Sequence, residues 1–337
     1  MADVNRSWRL AARPQGMIKD SDFTWREDPV PEQLGQGEIL VRTLYLSVDP
    51  TQRGWMEMDT YMPAVGIGEV MRAGGVGRVV RSNAPAFAPG DLVSGLVGWQ
   101  DYAVMGPTGF VAPFKLPPGV PPTMALSALG LTGLTAYFGL LEIGKPKETE
   151  TVVVSGAAGA TGMIVGQIAK IKGCRAIGIA GGPDKCSFLT QELGYDAAID
   201  YKSEDVAARL RELCPKGIDV YFDNVGGDIL EAALGNLAMH ARVVLCGAIS
   251  GYNDMRNTRG PRNYMNLLIQ RSRMEGFIVT DFAAKFGDAV RELATWAAAG
   301  RIKDRVDVVE GLEQAPAALR RLFTGANVGK QLVKVAD

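Results

Sequence analysis

Residues 151–174 read TVVVSGAAGATGMIVGQIAKIKGC. Val152, Val153 and Val154 form a continuous β-branched run, the pattern of a strand buried on both faces in a parallel sheet. GMIVGQIAKIKG repeats apolar residues at helical spacing and stops at a glycine. Between the two lies Ser155-Gly156-Ala157-Ala158-Gly159-Ala160-Thr161-Gly162. Against G-x-G-x-x-G the match is Ala157, Gly159 and Gly162, with alanine in place of the first glycine. Gly159 has no side chain, so a pyrophosphate can approach the backbone. Gly162 lets the helix pack closely on the strand. The first-turn N–H groups, at Ala160, Thr161 and Gly162, then face the phosphates. Alone, such a segment also fits a small-residue turn. A strand before it, a helix after it and the pattern downstream favour a dinucleotide site.

Downstream, RAIGIAG, AAID, IDVYFDNVG, RVVLCGAI and MEGFIVT read as further strands. CSFLTQELG and SEDVAARLRELC read as helices, the second with Val206, Leu210 and Leu213 on one face. This alternation predicts an α/β fold of the Rossmann type, a doubly wound parallel six-stranded sheet. ALSALGLTGLTAYFGLLEIG is a helix-length apolar segment at its start. Upstream the pattern changes. EILVRTLYLSVDP, GGVGRVVRS and DLVSGLVGWQDYAVM are short strands punctuated by Gly and Pro, and PFKLPPGVPP makes a rigid boundary. The end, PAALRRLFTGANVGKQLVKVAD, reads as helix, turn and strand; that strand is expected to return to the first domain. The expected domains are 1–124 with 301–337, and 125–300.

A chain of 337 residues suits two domains. Its net charge is −1 with no basic block, so nucleic acid is not an expected partner. Its apolar runs are interrupted by Gly, Ser and Thr, so no membrane span is expected. MADVNRSWRL lacks an apolar core after a basic stretch, so no signal peptide is expected. Cys174, Cys186, Cys214 and Cys246 are dispersed and suit a reduced cytoplasmic protein. With His240 the only histidine, three protein ligands for a catalytic zinc are not evident, and no metal is expected.

An NAD site expects an acid at the end of the second strand, for the ribose 2′-hydroxyl. Here that strand ends Ile179-Ala180-Gly181-Gly182, and Asp184 is followed at once by Lys185. A lysine there can pair with a 2′-phosphate, a charge-assisted bond worth about 1.5–3 kcal/mol. NADPH is therefore the expected cofactor.

The chain resembles the medium-chain dehydrogenase/reductase superfamily, a GroES-like β domain followed by a Rossmann domain. Within it the chain is similar to the zinc-independent branch of prostaglandin/leukotriene reductases, plant double-bond reductases and bacterial curcumin-type reductases. The stretches that carry this are VDPTQRGWM, GGVGRVV, LGLTGLTAYFGLLEIGKPK, SGAAGATG, GQIAKIKGC, YFDNVGG, CGAISGYN and NVGKQLVK. The resemblance implies an NADPH-dependent reductase of enone or enal double bonds. It implies that Gly159 to Gly162 hold the pyrophosphate and that Lys185 and Tyr201 flank the 2′-phosphate. Asn224 would lie beside the cofactor. Cys246, Gly247, Ala248, Ile249, Ser250 and Tyr252 would line the nicotinamide side. Phe277, Ile278, Val279 and Asn327 would complete the pocket wall. Tyr252 is the catalytic candidate, and Thr51, Arg53 and Tyr61 are substrate-side candidates, with Arg53 equally suited to a structural anchor.

One departure stands out. Relatives usually carry Tyr-Met after the Asp-Pro, and this chain has Thr51-Gln52. Zinc-dependent relatives place a Cys near Ser47 and a four-Cys lobe later, whereas residues 1–173 hold no Cys or His. An enone needs only a hydride and a donor for its oxygen, not a Lewis acid. His240, before a strand, is expected at the far edge of the sheet. Two rivals stay open, an NADPH quinone reductase of the same superfamily and a non-catalytic NADPH-binding module. The resemblance also implies a homodimer, through the last Rossmann strand around Phe277.

Overall fold

The structure, a computed structural model, describes residues 4–107 and 112–337; residues 1–3, part of the stretch judged for a signal peptide, fall outside it. The chain divides into two units, residues 1–126, 306–327 and 331–337 in one, residues 127–305 and 328–330 in the other.

The second unit holds six parallel strands: β1 (Thr151–Ser155), β2 (Arg175–Ala180), β3 (Ala197–Asp200), β4 (Ile218–Asp223), β5 (Leu237–Leu245) and β6 (Arg273–Gly276). Their order across the sheet is β3-β2-β1-β4-β5-β6, so the order reverses beside β1. Doubly wound sheets bind ligands at that reversal, outside the carboxyl ends of the strands. Val152, Val153 and Val154 are wholly buried, as a strand covered on both faces requires. Helix α1 (Ala160–Ile171) follows β1 directly, with Met163, Ile164, Val165 and Ile168 in the core. In helix Val206–Leu213, Leu210 is buried with Val206 and Leu213 packed beside it. The Asp205 carboxylate caps that helix by accepting the Ala208 N–H at 3.0 Å.

Two expected elements are shorter. The apolar segment 125–144 is not one helix. The Ser127 carbonyl accepts the Gly130 and Gly133 N–H groups and the Thr132 hydroxyl, which makes a turn. Regular helix starts at Leu131 and runs to Phe138, with a wider-wound turn over Gly139–Gly144. MEGFIVT supplies only the end of β6, and the chain leaves the sheet at Phe277. The Phe277 side chain packs against the large core and meets Phe282 edge-on at 6.5 Å.

The first unit is a seven-membered sheet plus the hairpin Val4–Leu10 with Phe23–Pro29. The sheet runs Val306–Glu310, Lys330–Lys334, Ile39–Ser47, Gly74–Ser82, Leu92–Leu96, Phe114–Lys115, and Tyr102–Met105 also pairs with Ile39–Ser47. The C-terminal strand thus joins the first unit, Leu332 opposite Ser47. The second unit differs from the expected 125–300 in three ways. It begins at Ser127, it extends to Arg305, and it reclaims Val328–Lys330. The last two follow from backbone pairing. The Lys330 N–H donates to the Arg305 carbonyl at 2.9 Å, and the Gly329 N–H donates to the Ala158 carbonyl at 2.8 Å. Among the described residues, no helix is long and apolar enough to cross a membrane.

Candidate active site

At the carboxyl end of β1 the chain turns through Gly156 into α1, whose N-cap, Gly159, offers no side-chain cap. The first turn of a twelve-residue helix therefore presents backbone amides and the positive end of its dipole. A Cβ on Gly162 would stand 2.4 Å from the Gly156 carbonyl oxygen, so only glycine lets the helix seat this closely. This is a cradle that suits a pyrophosphate. Its edge is stitched to Gly329, the neighbour of Val328 and Asn327; sequence reading gave Gly329 no role, because nothing local marks a contact 171 positions away.

The end of β2 carries no acid. Asp200, at the end of the neighbouring β3, accepts the Gly182 N–H at 2.7 Å, the Lys202 N–H at 3.0 Å and the Ser203 hydroxyl at 2.8 Å. These donors, the Gly182 amide first, hold its carboxyl below the usual range. Asp200 is thus engaged in shaping the loop. Tyr201 packs its ring on Gly181, where a Cβ would be 2.8 Å from it, and Lys185 lies in the short helix Pro183–Ser187. Lys185 and Tyr201 thus flank the same Gly181-Gly182 turn. A 2′-phosphate suits this set of groups better than a bare ribose, which would need a carboxylate.

At the end of β4, Asp223 is buried and works on the backbone. Its carboxylate accepts the Ser155 hydroxyl at 2.8 Å, the Tyr221 hydroxyl at 3.0 Å, and the Val225 and Gly226 N–H groups at 3.1 Å. Burial pushes its pKa up, and these hydrogen bonds pull the other way. Ser155, which nothing in the local sequence marks out, is the hub. Its Oγ accepts the Asn224 N–H at 2.9 Å, and its carbonyl accepts the Asn224 carboxamide at 2.7 Å. This ties the ends of β1 and β4 together and fixes Asn224.

After β5, the Cys246 and Gly247 N–H groups donate to the Asp223 carbonyl at 2.9 and 3.1 Å. Burial, with Asp223 nearby, pushes the Cys246 thiol up to about 12, which favours its protonated form. The chain then folds back through Ala248, Ile249 and Ser250. The Tyr252 hydroxyl accepts the Ala248 N–H at 3.2 Å, and Ser250 Oγ donates to the Val225 carbonyl at 2.6 Å. The structure thus brings Asn224, Cys246, Gly247, Ala248, Ser250 and Tyr252 into one cluster. His240 is not in it. It sits towards the opposite end of β5, exposed, with a left-handed φ of 61° and Nδ1 3.3 Å from the Arg271 carbonyl.

In the first unit, Thr51 opens the short helix Thr51–Trp55, and its Oγ1 lies 3.0 Å from the Tyr61 hydroxyl. Tyr61 also meets Trp55 edge-on at 6.3 Å, and the Arg72 guanidinium lies 5.6 Å from the Trp55 ring centre. Arg53 points elsewhere. It is 1% exposed, donates to the Pro14 carbonyl at 3.2 Å and the Gly16 carbonyl at 3.2 Å, and pairs with Glu57 at 2.9 Å. Of the two roles open to Arg53, its partners are those of an anchor. Among the described residues, no three His, Cys, Asp or Glu side chains gather as a metal site would need.

Residues 6–112 match the family model described as the N-terminal domain of oxidoreductase, and residues 160–295 match one described as zinc-binding dehydrogenase. The chain is 46% identical over 334 residues to a putative NADP-dependent oxidoreductase of Bacillus subtilis, covering 98% of this chain and 97% of that one. It is 43% identical to an NADPH-dependent curcumin reductase of Escherichia coli, over 98% and 97%, and 41% identical to a 2-alkenal reductase (NADP(+)-dependent) of Nicotiana tabacum, over 95% and 94%. The structure of CurA from Vibrio vulnificus in complex with NADPH superposes with a TM-score of 0.92 at 43% identity, over 98% and 99%. The chain belongs to the medium-chain dehydrogenase/reductase family, in its zinc-independent branch.

Proposed function

We infer that this chain is an NADPH-dependent reductase that adds hydride to the carbon–carbon double bond of α,β-unsaturated ketones or aldehydes. The observation that carries the reaction is full-length similarity to reductases named for curcumin and for 2-alkenals. The cofactor reading has its own support in the uncapped α1 N-terminus, the acid-free end of β2 and Lys185 beside it.

NADPH, when bound, supplies the hydride. The amides of α1, behind Gly159, Ala160, Thr161 and Gly162, hold the pyrophosphate, and Lys185 with Tyr201 holds the 2′-phosphate. Asn224, with the segment from Cys246 through Ile249 to Tyr252, borders the nicotinamide; Ile278, Val279 and Asn327 complete the wall. An enone that gains hydride at its β-carbon becomes an enolate, whose oxygen needs a hydrogen-bond donor. Tyr252 fills this role. Its oxygen accepts the Ala248 N–H, and a hydroxyl that accepts a hydrogen bond donates more strongly. Solvent protonates the α-carbon. Thr51 and Tyr61 are the substrate-facing residues of the first unit, and Arg53 holds the segment that carries them.

The test is an NADPH-oxidation panel of 2-alkenals, enones and quinones. Saturated carbonyl products from alkenals and enones are expected. Activity confined to quinones would overturn the double-bond reading, and tight NADPH binding without turnover of any electrophile would mark a binding module.

We also propose that the protein is a homodimer paired along β6. This strand has β5 as its one partner among the described residues, and Tyr264, Met265, Leu268 and Ile269 expose apolar surface shortly before it. Four unpaired cysteines favour a reducing compartment, the cytoplasm.

A further inference from the structure

We propose that Lys330 is a positioning residue for the glycine loop: with Asp304 and Ser127 it locks the segment Val328–Lys330 against Ala158 and Gly159, so that NADPH meets a loop already set for its pyrophosphate. The proposal rests on the reading above, that the α1 amides hold the pyrophosphate.

Lys330 is 1% exposed, a burial that an ammonium group tolerates only beside a countercharge. Asp304 supplies that charge, and its carboxylate also accepts the Ser127 hydroxyl. Burial pushes the Asp304 pKa up, while the Ser127 hydroxyl and the Lys330 charge pull it down. The hydride transfer uses none of these three side chains.

The backbone beside Lys330 is what the glycine loop leans on. The Gly329 N–H donates to the Ala158 carbonyl at 2.8 Å, and Gly159 and Gly329 pair as an isolated parallel bridge. The Lys330 N–H donates to the Arg305 carbonyl at 2.9 Å. Gly329 has a φ of 73°, and a Cβ there would stand 2.2 Å from the Arg305 carbonyl oxygen, so only glycine fits. Asp304 and Arg305 are chain neighbours. One holds Lys330 by charge and the other by its carbonyl, so the side-chain link and the backbone bond restrain the same segment. Gly159 in turn is the N-cap of α1, and its carbonyl accepts the Met163 N–H at 3.0 Å. A hold on Gly329 is therefore a hold on the residue where the open amides of the helix begin.

A glycine-rich loop loses more backbone freedom on ordering than any other kind of loop. A loop braced before the ligand arrives binds more tightly, because that ordering is already done. Without the brace NADPH binds more weakly, yet once bound it occupies the same place. The effect belongs in KM for NADPH and not in kcat.

The experiment titrates the full chain with NADPH and, in competition, with adenosine 2′-monophosphate, which carries the 2′-phosphate but no pyrophosphate. Lys330→Met is expected to weaken NADPH about 10-fold, on the scale of one charge-assisted contact, with kcat at saturating NADPH retained. Adenosine 2′-monophosphate should bind wild type and variant alike. Because methionine strands the Asp304 carboxylate, Lys330→Met combined with Asp304→Asn is measured beside it. With both charges gone the fold is kept, and NADPH should again be about 10-fold weaker. Wild-type NADPH affinity in the double variant overturns the proposal, as do equal losses for the two ligands. A double variant that does not fold makes Lys330 a residue of the fold and overturns the positioning role. Ala160→Pro removes one open amide at a helix position that accepts proline, and should also weaken NADPH. Unchanged NADPH affinity in that variant would instead sink the reading that the α1 amides hold the pyrophosphate.

Discussion

The carboxyl end of β1 is made almost wholly of backbone. Gly156 and Gly159 leave the backbone open, Gly162 lets α1 seat closely, and the side chain at the hub, Ser155, comes from the strand itself. The Thr51 corner of the first unit is made of side chains brought from afar: Tyr61 from ten positions on, and Arg53 reaching back to Pro14 and Gly16. A cradle of amides takes any pyrophosphate and leaves little room for variation. A corner of side chains can be rebuilt one residue at a time, and in this chain it departs from the expected pattern at Thr51-Gln52.

The difference can be broken by substitution. Gly162→Val should have the largest effect, because its Cβ alone would meet the Gly156 carbonyl oxygen at 2.4 Å. A loss of more than about 3 kcal/mol, shared between folding and NADPH binding, is expected in urea and cofactor titrations; near-normal binding would show that the helix seats less tightly than described. Arg53→Met comes next. It leaves Glu57 and two carbonyls without their cation in a buried site, a loss of about 3–5 kcal/mol in the urea midpoint of the first unit. Wild-type stability with a raised KM would instead make Arg53 a substrate contact. Lys185→Glu should weaken NADPH by about 10- to 150-fold while moving NADH far less, which titration of both nucleotides reads directly. Equal effects would free Lys185 from the 2′-phosphate. Tyr252→Phe is the mildest, expected to lower kcat about 10-fold with NADPH affinity retained, on the scale of one hydrogen bond to a charged oxygen. Unchanged turnover would remove Tyr252 from the mechanism.

The two regions also differed in how far they could be read in advance. VVV followed by a glycine turn and a 3.6-period helix predicts strand, loop and α1 because all three depend on neighbours within about ten residues. The missing acid after β2 was equally local. Arg53 was not: nothing in DPTQRGW says whether its guanidinium faces a substrate or the carbonyls of Pro14 and Gly16. MEGFIVT reads as strand throughout because its apolar run fits one, yet the strand ends at Gly276 and Phe277 packs into the core. The segment 125–144 was overread as helix for a similar reason, since hydropathy does not show that the Ser127 carbonyl takes three donors.

By itself, then, the sequence determined the Rossmann sheet, the glycine turn into α1 and the choice of NADPH, because β-branched runs, glycines and a missing carboxylate act through local sterics and charge. The tertiary structure decided that Arg53 meets Pro14, Gly16 and Glu57, that Ser155 and Asp223 join β1 to β4, that Gly329 closes on the glycine loop, and that Thr51 meets Tyr61. Each of those depends on a side chain or backbone group finding a partner far along the chain, or across a turn whose path the sequence leaves open, and only the packed fold supplies that partner.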